Sequence, residues 1–187
     1  MRSDAEANRQ DLLTAAARLI SEQGDGVSMR VIAQKAEVGI GTLYRHFPTR
    51  DDLMIGLANS ILDEVDAAVD RFIHSTTSPR TRWESYVAEL AGLNLGALAG
   101  ALRADDHLRD SQPLVTHRDD TMMAMAAVLR TAQTETLVSE DVTVPRFLLG
   151  IIQFTRTLPP NAPPDITAEL PWLLRAYLRG LAPAPHA

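Results

Sequence analysis

The decisive stretch of this chain runs from Val27 to Leu53, V-S-M-R-V-I-A-Q-K-A-E-V-G-I-G-T-L-Y-R-H-F-P-T-R-D-D-L. Ser28 is a good N-cap for a short helix reaching about Ala36. A second short helix fits from about Ile40 to Phe47, where Pro48 ends it. Two short helices joined by a tight turn, with small, aromatic and basic residues on the second, suit a helix-turn-helix laid into the major groove of DNA.

The side chains support that reading. A reading helix must bring its backbone close to the groove wall, and Gly39 and Gly41 keep its entrance bare. Thr42 offers a hydroxyl and a methyl to a base edge or a thymine methyl, and Arg45 follows about one turn later. Tyr44 and His46 stand where a phenol and an imidazole could meet phosphates. Arg50 adds a cation in the first turn of the following helix, and Arg30, early in the supporting helix, can reach a guanine edge or a phosphate. Leu43, Phe47, Ile32, Ala33 and Val38 read as core. Each item alone has a plainer explanation in packing or turn chemistry; their order and spacing carry the group.

Working outward, the whole chain reads helical. Ala5–Gln23 carries Leu12, Leu13, Ala16, Leu19 and Ile20 at helical spacing, and Gly24 is a natural stop. Thr49 and Asp52 make a capping-box-like start for a long helix to about residue 73, striped by Leu53, Leu57, Ile61, Val65, Ala68 and Phe72. After a loop at Ser75–Pro79, a helix is expected from Thr81 to Leu102, apolar on more than one face and so central in its domain. Pro113 opens a further helix, Thr143 caps a strongly apolar one, and N-A-P-P at 161–164 precedes a last helix over Thr167–Leu181. The expectation is an all-α chain of about nine helices: a three-helix DNA-binding domain over 1–50 and a helical domain over 51–187.

The formal net charge of −6 argues mildly against a nucleic-acid partner, but its distribution matters more. Residues 1–50 hold seven Arg or Lys against six Asp or Glu, and residues 51–187 hold eleven against eighteen. The acidic excess therefore lies outside the proposed reader. The absence of cysteine excludes disulfides, thiolate metal sites and cysteine nucleophiles. The polar N-terminus is no signal peptide and no apolar run approaches a membrane span, so a cytoplasmic protein is expected.

The run I-A-Q-K-A-E-V-G-I-G-T-L-Y-R-H-F-P-T-R-D-D-L resembles the signature of the TetR family of bacterial transcriptional repressors, strongly over about residues 8–60. Beyond that the likeness lies in helix order alone. The resemblance places base-proximal contacts on Arg30, Ile40, Gly41, Thr42, Tyr44 and Arg45, and phosphate contacts on Ser28, Tyr44, His46 and Arg50. Two positions depart from the pattern. Glu37 stands where the family commonly has a turn glycine, and a left-handed non-glycine residue costs roughly 1 kcal/mol. Arg50 replaces the usual lysine and keeps its charge.

The resemblance also implies that residues 51–187 dimerise and hold an effector pocket. The large apolar content of the last two helices agrees, and Phe147, Leu148, Ile151, Trp172, Leu173 and Tyr177 are the candidate dimer contacts. Asn94 continues the stripe Trp83, Val87, Leu90, Ala97, Ala101, so its amide points inward and needs a partner; a bond to a neighbouring helix is the plainer alternative to a ligand. With it, Trp83, Tyr86, Leu90, Met122, Met125, Gln153 and Phe154 are the candidate pocket residues. His107 and His117 lack metal-ligand spacing, and no nucleophile elbow, phosphate loop or dinucleotide glycine pattern is present. The expectation is a non-enzymatic homodimer without cofactor that binds a palindromic operator and is released by an unidentified small molecule. A DNA-binding regulator without an effector, or a helical ligand-binding protein with a vestigial reader, are the alternatives.

Overall fold

The computed structural model describes residues 2–24, 26–93, 95, 111–154 and 169–183. They form eight helices and no strand: α1 (Arg2–Gln23), α2 (Met29–Lys35), α3 (Ile40–His46), α4 (Arg50–His74), α5 (Pro79–Gly92), α6 (Gln112–Thr134), α7 (Val144–Phe154) and α8 (Leu170–Leu181). The all-helical class is as the periodicity implied. Asn94 and the segments around 96–110 and 155–168 lie outside the described residues.

The first compact unit runs to Ile61 and takes in a later stretch ending at Val115; the second begins at Leu62 and resumes at Thr116. The division falls inside α4, not at the 50/51 boundary expected from sequence.

In the first unit, α1, α2 and α3 pack on one another. Their apolar stripes close around Leu12, Leu13, Ile32, Leu43 and Leu53, each fully buried. Leu57 and Ala58 on α4 are buried as well. Phe47, buried just after α3, lies under the Arg9 guanidinium at 5.5 Å from its ring centre. It also comes so near α4 that a Cβ on Gly56 would stand 2.7 Å from Phe47 Cε1. Thr49 and Asp52 cap α4 reciprocally: Asp52 Oδ2 accepts from Thr49 N at 3.0 Å, and Thr49 Oγ1 accepts from Asp52 N at 3.1 Å.

The turn after α2 is built by backbone bonds. Val38 N donates to Ala33 O at 3.0 Å and Glu37 N to Gln34 O at 3.2 Å, the paired bonds of a Schellman motif. Its left-handed position falls on Glu37, at φ 56°. The end of α6 repeats the arrangement: Leu137 N bonds Ala132 O, Thr136 N bonds Gln133 O, and Thr136 stands at φ 57°. Glycine is the usual occupant of such positions, because any Cβ is crowded there. The Glu37→Gly variant is therefore expected to unfold at higher denaturant, a gain of about 1 kcal/mol less the entropy cost of a glycine. An unchanged or lower midpoint would mean that the carboxylate contributes something the backbone strain conceals.

The second unit has one core, drawing Val65, Val69 and Phe72 from α4, Trp83, Tyr86, Val87 and Leu90 from α5, Met125, Val128 and Leu129 from α6, Phe147 and Ile151 from α7 and Leu181 from α8. The Phe147 ring is its hub, with centroids 5.4 Å from Trp83, 6.3 Å from Tyr86 and 6.4 Å from Tyr177. Ser78 caps α5 through Thr81 N and Pro79 opens it, two residues earlier than expected. The helix closes at Gly92, where Leu93 N bonds back to Leu90 O; the expected continuous run to Leu102 is corrected there. No helix among the described residues is long and apolar enough to cross a membrane.

Candidate nucleic-acid interface

Ser28 accepts from Val31 N at 3.4 Å and so starts α2. Arg30 and Arg45 are exposed, and so are Gly39, Ile40, Gly41 and Tyr44, while Thr42, His46 and Arg50 are half-buried. Ile40 and Tyr44, one turn apart on α3, are 43% and 49% exposed, and Val31 on α2 is 41% exposed. Three large apolar side chains thus stand in water within the helix-turn-helix, beside an arginine and a threonine. Scattered exposed apolar residues need no explanation, but a group rimmed by polar side chains marks a contact surface.

The two glycines sharpen this. Gly39 caps α3 at φ −61°, a conformation open to any residue, and a Cβ there would meet only Thr42 Oγ1 at 3.9 Å. At Gly41 a Cβ would touch nothing within 4 Å. Neither turn geometry nor internal packing requires a missing side chain at either position. What the bare surface admits is something approaching from outside.

Arg45 is held in place before any partner arrives. Its Nη2 donates to Thr42 Oγ1 at 2.8 Å and its Nε to the Gly41 carbonyl at 3.3 Å, laying the guanidinium back along α3. Arg50 has a structural duty that its charge alone did not reveal: Nη1 donates to the Val27 carbonyl, tying the start of α4 to the residue before the α2 cap.

In the second unit the candidate pocket residues scatter. Trp83 borders a hollow of about 520 Å³ with Leu137, Leu174 and Leu178, and Tyr86 borders one of about 140 Å³ with Arg71, Arg82 and Glu89. Leu90 and Met125 are buried in the core, Met122 is half-buried and Gln153 exposed. Asn94 and the Phe154 side chain lie outside the described residues. The sequence reading passed over Thr121, whose hydroxyl is buried without a partner, and Asp66, which stands 3.1 Å from His117 Nε2. Thr121 had no signal beyond its place one turn before Met125. No cluster able to hold a metal occurs among the described residues.

The dimer candidates need correction at two positions. Phe147 and Ile151 are 2% and 0% exposed, consumed by the core of their own chain, and are not on a face that a second copy could meet. Leu148, Leu173 and Tyr177 are half-buried. The open apolar side chains of these helices are Trp172, 54% exposed, and Leu149, 58% exposed, which the sequence reading left out.

An all-helical chain whose first three helices form a helix-turn-helix is the class that fold and site define. The family model for bacterial regulatory proteins of the tetR family matches residues 12–57. The HTH-type transcriptional repressor KstR of Mycolicibacterium smegmatis is 31% identical over 90 residues, 47% of this chain and 44% of that protein. An HTH-type transcriptional regulator of Staphylococcus aureus is 42% identical over 64 residues, 34% of this chain and 35% of its own length. The matches thus span less than half the length of these relatives. Over nearly the whole fold, the TetR transcriptional regulator SCO0520 from Streptomyces coelicolor superposes with a TM-score of 0.69 at 26% identity, covering 94% of this chain and 99% of that one. The chain is thus similar to the tetR family in sequence over residues 12–57, and to a TetR transcriptional regulator in fold over most of its length.

Proposed function

We propose that the chain is a transcriptional repressor that binds a palindromic operator as a homodimer and is released by a small molecule held among its C-terminal helices. The observation that carries the DNA-reading part is the bare, apolar-edged surface of α3, where Gly39 and Gly41 have no internal reason to lack side chains. On this reading Arg30, Ile40, Gly41, Thr42, Tyr44 and Arg45 lie toward the bases, and Ser28, Tyr44, His46 and Arg50 toward phosphates. Trp172 and Leu149 give α8 and α7 an apolar outer surface for a second copy, and twofold pairing would present two reading heads to a twofold site. Release needs a ligand that favours one arrangement of those heads over another, a coupling free energy between its site and the DNA site. Selection of bound duplexes from a random pool by the purified protein tests the reading. A twofold motif with strong salt dependence is expected; binding without sequence preference would sink it.

Arg50 makes a sharper case. Arg50→Ala is expected to weaken all duplexes alike and to flatten the salt slope by about one unit per protomer. Because the same side chain bonds Val27, the variant should also lose about 1–2 kcal/mol of stability. Measuring salt-dependent binding beside urea unfolding separates the two effects. A loss confined to the selected sequence would contradict a phosphate role.

A further inference from the structure

Four buried side-chain polar atoms among the described residues have no hydrogen-bond partner: Arg82 Nε and Tyr86 Oη on α5, Thr121 Oγ1 on α6, and Glu135 Oε2 just past the end of α6. Arg82 and Glu135 pair with each other through their other atoms, so theirs are spare valences on a satisfied pair. Tyr86 and Thr121 are different. Each has a single polar atom, each is only 2% exposed, and each is left with nothing. A buried hydroxyl without a partner is costly, and phenylalanine or valine would fill the same spaces without that cost.

The surroundings of these hydroxyls point to what would satisfy them. Thr121 extends the buried stripe Met125, Val128 and Leu129 of α6, so it faces the core to which Tyr86 and Leu90 belong. One turn before Thr121, His117 Nε2 lies 3.1 Å from Asp66 Oδ2 and 3.7 Å from Asp63 Oδ1 on α4. Burial, with the Asp66 charge adding to it, holds the Tyr86 phenol far above its ordinary value, so its proton stays on and the group donates. A donor needs an acceptor atom. The nearby carboxylates disfavour an anion, and a simple ammonium brings no acceptor. Leu90 and Met125, one turn beyond the two hydroxyls, are buried apolar neighbours along their helices, and methionine adapts its shape.

We propose that the seam between α5 and α6 receives the carbonyl or hydroxyl oxygen of a neutral, mainly apolar molecule, with Tyr86 and Thr121 as its hydrogen-bond partners. This rests on the effector-released reading above and gives the effector its chemical class. A state that pairs these hydroxyls with a ligand is favoured over one that leaves them unpaired, which is the differential affinity release requires.

The test uses four congeners on the whole 187-residue chain: 4-tert-butylcyclohexanone, tert-butylcyclohexane, 4-tert-butylcyclohexanecarboxylate and 4-tert-butylcyclohexylamine. Trp83, its ring centroid 5.9 Å from that of Tyr86, reports binding by fluorescence. The ketone should bind saturably and at least about tenfold more tightly than the other three. Tyr86→Phe and Thr121→Val should each remove about tenfold from the ketone and leave the hydrocarbon unchanged. Both variants should melt no lower than the parent, because neither hydroxyl has a hydrogen-bond partner within the chain. The proposal is overturned if the ketone fails to bind, if the carboxylate, amine or hydrocarbon equals it, or if the variants bind it normally. Melting well below the parent would overturn it too, by showing the hydroxyls to be structural. A ketone that binds through Tyr86 and Thr121 yet leaves the selected duplex bound would count against effector release and leave this site standing. A compound that releases the duplex equally from parent and variants would do the reverse.

Discussion

Replacing Arg45 by alanine should reduce the preference for a selected operator over a scrambled duplex by on the order of a hundredfold. A side chain that reads a base edge carries about 1–3 kcal/mol of discrimination, and a twofold site counts the loss twice. On the function proposed above, Arg45 bears that term. Its guanidinium is already fixed by Thr42 Oγ1 at 2.8 Å and the Gly41 carbonyl, so little ordering entropy is lost when DNA arrives. Thr42→Val, which keeps the shape and removes the acceptor, should give a smaller loss in the same direction. Competition binding against scrambled duplex at two salt concentrations is the measurement. If Arg45→Ala keeps the ratio and loses only overall affinity, as expected of Arg50→Ala, then base reading lies elsewhere on α3.

The second large effect is expected far from DNA, at Gly150. An alanine Cβ there would stand 2.3 Å from Tyr177 Cζ and 2.4 Å from its Cε2 and Oη, closer than any real contact. Tyr177 cannot yield cheaply, because its hydroxyl donates to the Phe147 carbonyl at 2.6 Å and its ring stacks on Phe147 at an interplanar angle of 17°. Burial pushes its phenol up to about 12, as expected of a group held in place as a neutral donor. Gly150→Ala should therefore cost about 3 kcal/mol, the upper end of overpacking penalties, read as an early loss of helicity in urea. Pairing it with Tyr177→Leu should restore part of that loss, the sign of coupling between touching residues. An unchanged midpoint for Gly150→Ala alone would mean that α7 and α8 shift apart freely.

The two halves of the chain were not equally legible. In the first unit the chemistry is local: a capping box, a short turn and a reading helix fall within about thirty residues, and periodicity places Leu43 and Phe47 inward and Tyr44 and Arg45 outward, as found. Even the awkward Glu37 declared itself, since a turn that commonly takes glycine puts its substitute at positive φ. What local reading missed was a bond across 23 positions, from Arg50 to Val27. In the second unit such long-range relations are the rule. Phe147 and Ile151 were visibly apolar, but apolarity cannot say whether a side chain meets its own core or another copy. Leu149, between them in sequence, points the other way. Thr121 looks like any mid-helix threonine until the absence of a partner for its hydroxyl is seen.

α4 is one uninterrupted helix through the division at Ile61 and Leu62, so its own residues offer no loop at which it could be cut and rejoined. Leu53, Met54, Leu57 and Ala58 are buried before the division, and Val65, Ala68, Val69 and Phe72 after it. One helical rod is therefore the last wall of one core and the first wall of the next. Any insertion or deletion within α4 must therefore keep the helical phase of the residues on either side of it. A single added residue turns everything beyond it by about 100°. Changes in the length of α4 are thereby constrained to near-whole turns, and the helix acts as a reading frame for the buried stripes it carries.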